Sequence, residues 1–477
     1  MVVGELTEAT EVAVLGAGPG GYVAAIRLAQ LGKEVVLINA DRLPGGVCLL
    51  RGCIPSKALI EAAGLFHRIR GAAAIGILAD NPRVDWPTLQ KWKDSVVQKL
   101  GGGVELLLRQ NGVKTLSGRA AFLDAHTLDI HSPAGASRLA FEQAILATGS
   151  RARPLPSPPF DGERIIASDQ ALALPAIPAS LLVIGGGYIG LELGTVYAKL
   201  GSRVTVVEAL PELLTGLDPA LVRPVKKKLE SLGAQILLNA QARAFQIGDR
   251  SVEVELVGVD GSSSRVTAER VLVAIGRLPN SEGLGLEKIG VALDAKGFVK
   301  VDARQRTSLP HIYAIGDIAG GVQLAHKASR EGIVAAHVIA GAAEAFDNQV
   351  PAVIFTDPEI AYVGLSEAQA KERGLETATG MFGFAANGRA LTLDESEGFV
   401  KVVAEKSTQR ILGVQMVGPH VSDLISEATL ALEMGAFVAD LDLTIHPHPT
   451  LSEALHEAAE GVLGMAIHRY TKRRDKS

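Results

Sequence analysis

At 477 residues the chain is too long for a single hydrophobic core and has room for about three domains of ~150 residues each. Apolar residues at 47% and charged residues at 21% are ordinary for a globular protein, and with aromatics at only 4% the cores must be built from Val, Ile, Leu and Ala. A net charge of −5 excludes a broad phosphate-binding face and so a nucleic-acid partner; no apolar run reaches the roughly 18 residues of a membrane span, and no membrane partner is expected.

The opening, MVVGELTEATEVAVLG, carries acids where a signal peptide carries a basic segment, so a cytoplasmic protein is expected, or one already processed for an organelle matrix or stroma. Val12 to Leu15 is an apolar run that meets Gly16-Ala17-Gly18-Pro19-Gly20-Gly21, a helical stretch follows to about Leu31, and a second run, Val35 to Ile38, ends at Asn39. This is strand, tight turn, helix, strand, with G-x-G-x-x-G at Gly16, Gly18 and Gly21: the glycines let the backbone approach a pyrophosphate, and the helix start offers free N–H donors.

Next comes GGVCLLRGCIPSK, which holds Cys48 and Cys53, the only 2 cysteines of the chain. Two thiols cannot make a four-ligand zinc site, so no metal is expected, and Cys-x4-Cys is wider than the thioredoxin-type Cys-x-x-Cys. In a reducing compartment a structural staple is a poor reading. A redox pair leads, with a plain pair of core thiols as the alternative.

ILATGS, residues 145–150, reads as a buried strand ending at Thr148-Gly149, and the Pro-rich RARPLPSPPF after it marks a domain boundary. The dinucleotide unit then recurs: Leu181 to Ile184, the loop glycines Gly185, Gly187 and Gly190, a helix to about Leu200, and Val204 to Val207 ending at Glu208. Gly18 to Asn39 and Gly187 to Glu208 are the same 21 residues apart. Two copies in full context imply two dinucleotides. Short strands breaking at glycine follow, VLVAIGRLPN with Gly276 and Arg277, and IYAIGD with Gly316 and Asp317, and such ends suit a ligand edge. From about Pro351 the texture changes to paired strands, GFVKVVA and ILGVQMVG, and a helical stretch near Ser422 to Glu433, so the last domain reads as α+β.

HPHPTLSEALHE gathers His446, His448, Glu453, His456 and Glu457. A carboxylate on one ring nitrogen of a histidine fixes its tautomer and raises basicity at the other, and thiol chemistry needs such a base. His448 and Glu453 are the candidate pair. Taken alone, the cluster also reads as a solvated or capping feature. The basic end, HRYTKRRDKS, reads as a solvated terminus.

Together GAGPGG, GGVCLLRGCIPSK, ATGS, GGGYIGLELG, AIGRLPN, AIGD and HPHPTLSE, in order over nearly the whole chain, resemble the flavin disulfide reductases, and among them the branch that oxidises dihydrolipoyl groups. The resemblance implies an α/β fold with two Rossmann-like dinucleotide-binding domains, for FAD and NAD, plus a C-terminal α+β dimerisation domain. It implies an FAD segment at 1–150, an NAD domain at 151–278, a return to the FAD domain at 279–350 and an interface domain at 351–477. It further implies that Cys48 meets the dithiol and Cys53 faces the flavin, that Lys57 and Glu192 pair near it, and that His448 with Glu453 serves as acid–base dyad for the disulfide of the opposite subunit of a homodimer. The implied partner is the dihydrolipoyl domain of an acyltransferase or a glycine-cleavage carrier protein. Glu208 would bind an adenosine ribose and repel a 2′-phosphate, which favours NAD over NADP. Three departures stand out: Asn39 where the family usually has Glu, Val47 before the first cysteine, and Leu50 between the two. Tyr188, beside the nicotinamide position, reads either as a lid or as a ring packed on its helix. Glutathione-type reductases and a non-catalytic flavoprotein are the alternatives.

Overall fold

The run read as a strand at Val12–Leu15 extends back to Thr7, because its ladder partner, Gly135–Leu146, is long enough to pair from Thr7↔Arg138 to Leu15↔Leu146. The computed structural model describes residues 7–133 and 135–470 and divides into two units, Met1–Ile177 with Val273–Asp347, and Pro178–Leu272 with Asn348–Ser477. Residues 471–477 of the basic end and residues 1–6 of the acidic start lie outside the described residues.

In the first unit a seven-stranded sheet runs in the order Lys114–Ser117, Val35–Asn39, Thr7–Leu15, Gly135–Leu146, Thr127–Ser132, Arg119–Asp124, with Ile312–Ala314 added beside the C-terminal end of Gly135–Leu146. Its first half pairs antiparallel with Thr127–Ser132, while its end joins the parallel ladder. The parallel strands therefore finish on one edge, and from that edge spring the loops Gly16–Gly21, Ala147–Gly149 and Gly316–Asp317. Ligands of open α/β sheets bind at this edge. All five residues of Val35–Asn39 are buried, as a strand covered on both faces requires. Val14, Leu37 and Ile145 share one core cluster with Ala24 and Leu28 of the helix Pro19–Gln30 and Val334 and Ala335 of the helix Ala325–Ile339. The sequence reading missed the two helices that follow the cysteines, Cys53–Gly71 and Trp86–Gln110.

In the second unit the repeat is built from the same parts: Ser180–Ile184, the helix Tyr188–Lys199 and Arg203–Val207, flanked by Gln235–Leu237 and Arg270–Val273. Gly190 to Lys199 are all buried, which explains a helix so apolar on every side. The loop conformations match, with φ of +106° at Gly16 and +107° at Gly185, a region open to glycine and costly to other residues. An antiparallel three-stranded sheet, Ala240–Ile247, Val252–Gly258 and Ser263–Ala268, was not legible in the sequence.

The α+β texture beyond Pro351 is a five-stranded antiparallel sheet, ordered Ala352–Ile354, Glu359–Gly364, Ile411–Gly418, Phe399–Glu405, Thr377–Gly383. The helix Val421–Glu433 packs over Glu359–Gly364 and Ile411–Gly418, and the helix Glu453–Leu463 over Thr377–Gly383 and Phe399–Glu405. Both close on one core that includes Phe382, Val400, Met416, Ile425 and Leu455. Each such side chain, fully buried, contributes roughly 1.5–3 kcal/mol. That core fixes the start of the last helix, and with it Glu453.

Candidate active site

The first unit holds both cysteines. Gly46–Arg51 is a short helix, Gly52 breaks it at φ −140° and ψ −107°, and Cys53 opens the next helix, so the two thiols flank the break. A side chain at Gly52 would put its Cβ 2.8 Å from the Val47 carbonyl oxygen, so the break stays tight only with glycine. The short helix is docked on the first dinucleotide loop: the Gly45 N–H donates to the Ala17 carbonyl at 2.7 Å, and a Cβ on Gly46 would stand 2.6 Å from Gly18 Cα. The thiols are thereby placed by the first glycine loop itself.

Cys48 is partly buried and Cys53 exposed, both as thiols. The Cys48 thiol is pushed well up from its ordinary value by its hydrogen bond to Cys53, and next by burial, while Lys57 acts in the opposite sense. The two thiols share a proton and titrate as a pair. Lys57 stands one helical turn beyond Cys53.

A cluster at the sheet edge joins residues from distant parts of this unit. Thr148 Oγ1 donates to the Asn280 carbonyl at 2.9 Å, Asn280 Nδ2 returns a bond of 2.9 Å to the Thr148 carbonyl, and the Asn280 N–H meets the Gly149 carbonyl. Arg277 Nε donates to Ser150 Oγ at 2.7 Å and lies 3.8 Å from Asp317, whose other partner is the Ser150 hydroxyl. Gly276 accepts from the Arg153 N–H at 3.0 Å. Arg277 and Asp317 thus hold each other's strand ends through Ser150.

Sequence reasoning missed Lys327 and Glu331, both buried in the helix Ala325–Ile339. Glu331 Oε2 accepts the Gly316 N–H at 2.7 Å, and Lys327 Nζ reaches Glu331 Oε1 at 2.5 Å and the Gly320 carbonyl at 3.0 Å. Burial raises the Glu331 carboxyl, against the pull of Lys327. The available signal was two opposite charges four apart, Lys327 and Glu331, in the helical stretch AHKASREGIVAAH.

Asn39 and Glu208 show what side-chain length and an amide in place of a carboxylate decide. Each holds the backbone two residues on: the Asp41 N–H donates to Asn39 Oδ1 at 3.2 Å, and the Leu210 N–H to Glu208 Oε1 at 2.8 Å. The longer Glu208 also accepts the Gly186 N–H at 2.6 Å and so ties its turn to the glycine loop. Asn39 spends its amide on the Asp41 carbonyl, 2.8 Å away, instead. The loops have room for a ligand backbone, because a Cβ on either Gly18 or Gly187 would meet nothing within 4 Å. An FAD pyrophosphate fits over Gly18 and the start of the helix Pro19–Gln30, and an NAD pyrophosphate over Gly187 and the helix Tyr188–Lys199. Tyr188 opens the latter helix with 40% of its surface exposed.

Glu192, buried at 5% exposure, accepts the Phe355 N–H at 2.9 Å within the second unit. Lys57 stands in the first unit and Glu192 in the second, and the same division separates the cysteines from His448. His448 Nδ1 lies 2.8 Å from Glu453 Oε1, and its ring is 78% exposed. Glu453 Oε2 takes the Thr450 N–H at 2.8 Å. Burial opposes ionisation of Glu453, yet the Thr450 amide and the His448 ring together hold its carboxyl below the ordinary range. A carboxylate on Nδ1 leaves Nε2 as the free proton acceptor. His446 and His456 are near neighbours, their ring centroids 5.5 Å apart.

Residues 10–332 match the family model of the pyridine nucleotide-disulphide oxidoreductases, and residues 350–459 match that family's dimerisation domain. The chain belongs to this family. Dihydrolipoyl dehydrogenase of Geobacillus stearothermophilus is 48% identical over 99% of this chain and 100% of its own length, and that of Staphylococcus aureus 46% identical over 98% and 100%. Among solved structures, LpdA from Mycobacterium tuberculosis superposes with a TM-score of 0.88 at 30% identity over 94% of this chain and 99% of that one. The HOCl-induced flavoprotein disulfide reductase RclA from Escherichia coli gives 0.84 at 27% identity, covering 94% of this chain and 99% of its own. Within the family the chain groups with the dihydrolipoyl dehydrogenases, as an NAD-dependent oxidoreductase that uses FAD. Among the described residues no helix is long and apolar enough to cross a membrane.

Proposed function

We propose that this protein oxidises the dihydrolipoyl group carried by an acyltransferase or glycine-cleavage carrier protein, working as a homodimer in the cytoplasm or an organelle matrix. The division into segments 1–150, 151–278, 279–350 and 351–477 belongs to the same reading. The observation that carries it is the docking of the two-thiol segment on the first glycine loop, with Gly46 packed on Gly18. Bound at the first loop, FAD would accept an electron pair from the thiol pair and pass it to NAD⁺ as hydride.

The chain's own residues account for the dithiol half of the reaction. In the oxidised enzyme Cys48 and Cys53 form a disulfide. His448 Nε2, of a second subunit, takes the proton of one substrate thiol, with Glu453 holding Nδ1–H and compensating the imidazolium charge. The substrate thiolate attacks Cys48 Sγ, the Cys48–Cys53 bond breaks, and Cys53 leaves as thiolate. The second substrate thiol then attacks the substrate sulfur bonded to Cys48, closing the cyclic disulfide of the product, and its proton passes to Cys48 as that sulfur leaves, so that Cys48 ends as a thiol, Cys53 as a thiolate and His448 protonated. Two electrons now rest on the thiol pair. Lys57, one turn beyond Cys53, supplies a positive charge on the side where that thiolate develops, and Glu192 is its proposed partner. Gly185, Gly187, Gly190 and Glu208 would hold NAD, with Gly276 and Arg277 bordering it; Gly16, Gly18, Gly21, Asn39, Thr148, Gly149, Gly316 and Asp317 would hold FAD.

The test compares turnover of dihydrolipoamide with NAD⁺ against that of oxidised glutathione with NADPH. Equal or faster turnover of glutathione overturns the assignment. A His448→Gln variant is expected to lose reduction by dihydrolipoamide far more than NADH-to-dye electron transfer, and parallel loss of both contradicts the base role.

A further inference from the structure

Two residues before His448, the ring of His446 is buried, with 5% of its side chain exposed. Its Nε2 lies 2.9 Å from Glu427 Oε1 and its Nδ1 2.9 Å from the Thr444 carbonyl oxygen. A carbonyl and a carboxylate both accept, so this pair of contacts is the hydrogen-bonding pattern of a protonated ring, with both nitrogens donating. It ties the segment Thr444–Thr450 to the helix Val421–Glu433, which is packed on the sheet. The other end of the segment is held at Thr450, whose carbonyl accepts from buried Asn387 Nδ2 at 3.0 Å and whose N–H is on Glu453. His448, the exposed candidate base, is suspended between these two anchors.

Resting on the reading above, we propose that His446 and Glu427 are positioning residues for the His448–Glu453 dyad: the ion pair fixes the segment that aims the His448 ring. Neither touches the substrate. Glu427 raises the tendency of His446 to stay protonated, burial opposes it, and Thr444 and Glu453 add to it. The groups facing the ring are Glu427, His456 at 5.5 Å between centroids, and Glu453; His456 in turn faces Glu460 at 3.6 Å, with Asp442 beside it. The sign follows. A group whose folded pKa is raised contributes fully below its unfolded value, about 6.5, and its contribution is lost as pH rises through the folded value. The anchor therefore holds at acid and neutral pH and loosens at alkaline pH.

The holoenzyme variants His446→Gln and Glu427→Gln test this, read by stopped-flow reduction with dihydrolipoamide across pH, by NADH-to-dye rate and by flavin content. Misplacing a reacting group by about 1 Å costs on the order of 100-fold, and His446→Gln is expected to lose about that in the dithiol step while the NADH-to-dye rate and flavin content stay within twofold. Glu427→Gln keeps an acceptor for Nε2 but removes its charge, so the dithiol rate should stay near wild type at pH 6 and its alkaline limb should move to lower pH. Unchanged dithiol rates in His446→Gln, or a Glu427→Gln loss that is the same at every pH, overturn the proposal. Failure of the wild-type enzyme to oxidise dihydrolipoamide sinks the functional reading instead. In that case hydrogen exchange still decides the anchor: amides of 444–450 must exchange faster in His446→Gln, and unchanged protection refutes it.

Discussion

A single methyl group at Gly46 tests whether the dinucleotide loop places the redox thiols. Gly46 has φ +58°, where a non-glycine residue costs roughly 1–2 kcal/mol. Its added Cβ would lie 2.6 Å from Gly18 Cα, whereas carbon atoms settle at about 3.5–4.0 Å, so the short helix must retreat by about 1 Å. Overpacking of this kind adds about 1–3 kcal/mol, for a total of about 2–5 kcal/mol. Retreat moves Cys48 and widens the loop at Gly18 together. Gly46→Ala is therefore expected to lose FAD on dialysis and to slow reduction by dihydrolipoamide by about 100-fold. Gly103→Ala is the control: it lies inside the helix Trp86–Gln110, its Cβ would meet nothing within 4 Å, and it should stabilise the protein by roughly 0.5–1 kcal/mol with no change in either rate. Wild-type flavin retention and dithiol rate in Gly46→Ala would refute the argument that this contact positions the thiols.

Two further outcomes follow from the geometry. Glu331→Ala leaves Lys327 buried and unpaired and releases the Gly316 N–H, so urea unfolding should show a loss of about 3–5 kcal/mol, and a change below 1 kcal/mol would mean that water satisfies Lys327. Glu208→Ala removes a charge that would face a 2′-phosphate and also two backbone hydrogen bonds, so the ratio of kcat/KM for NAD⁺ over NADP⁺ should fall at least tenfold, chiefly through loss with NAD⁺; an unchanged ratio would rule out Glu208 as the selector.

Much of the dyad was legible because its parts are near neighbours in sequence: Glu453 follows His448 by five residues, and the Thr450 amide needs only a tight turn to reach the same carboxylate. The loops were legible for a like reason, since glycine spacing, a buried strand before and a helix after are local consequences of backbone sterics. Asn39 shows the limit. Its identity announced a departure, but that its amide closes on Asp41 rather than reaching the loop is a matter of side-chain length and local backbone path.

By itself, then, the chain's order of residues determined the two glycine-loop units, the pairing of two thiols near the first of them, and a histidine–carboxylate pair at the far end, because each depends on contacts within a few residues or on a repeated period. Tertiary structure alone decided that Gly46 lies on Gly18, that Ser150, Arg277 and Asp317 lock three strand ends, that Glu331 sits under Gly316 and that Glu427 meets His446. These contacts join residues 15 to 167 positions apart or bring two backbones closer than any side chain allows, and only the packing of helices and strands around a shared core sets which of them meet.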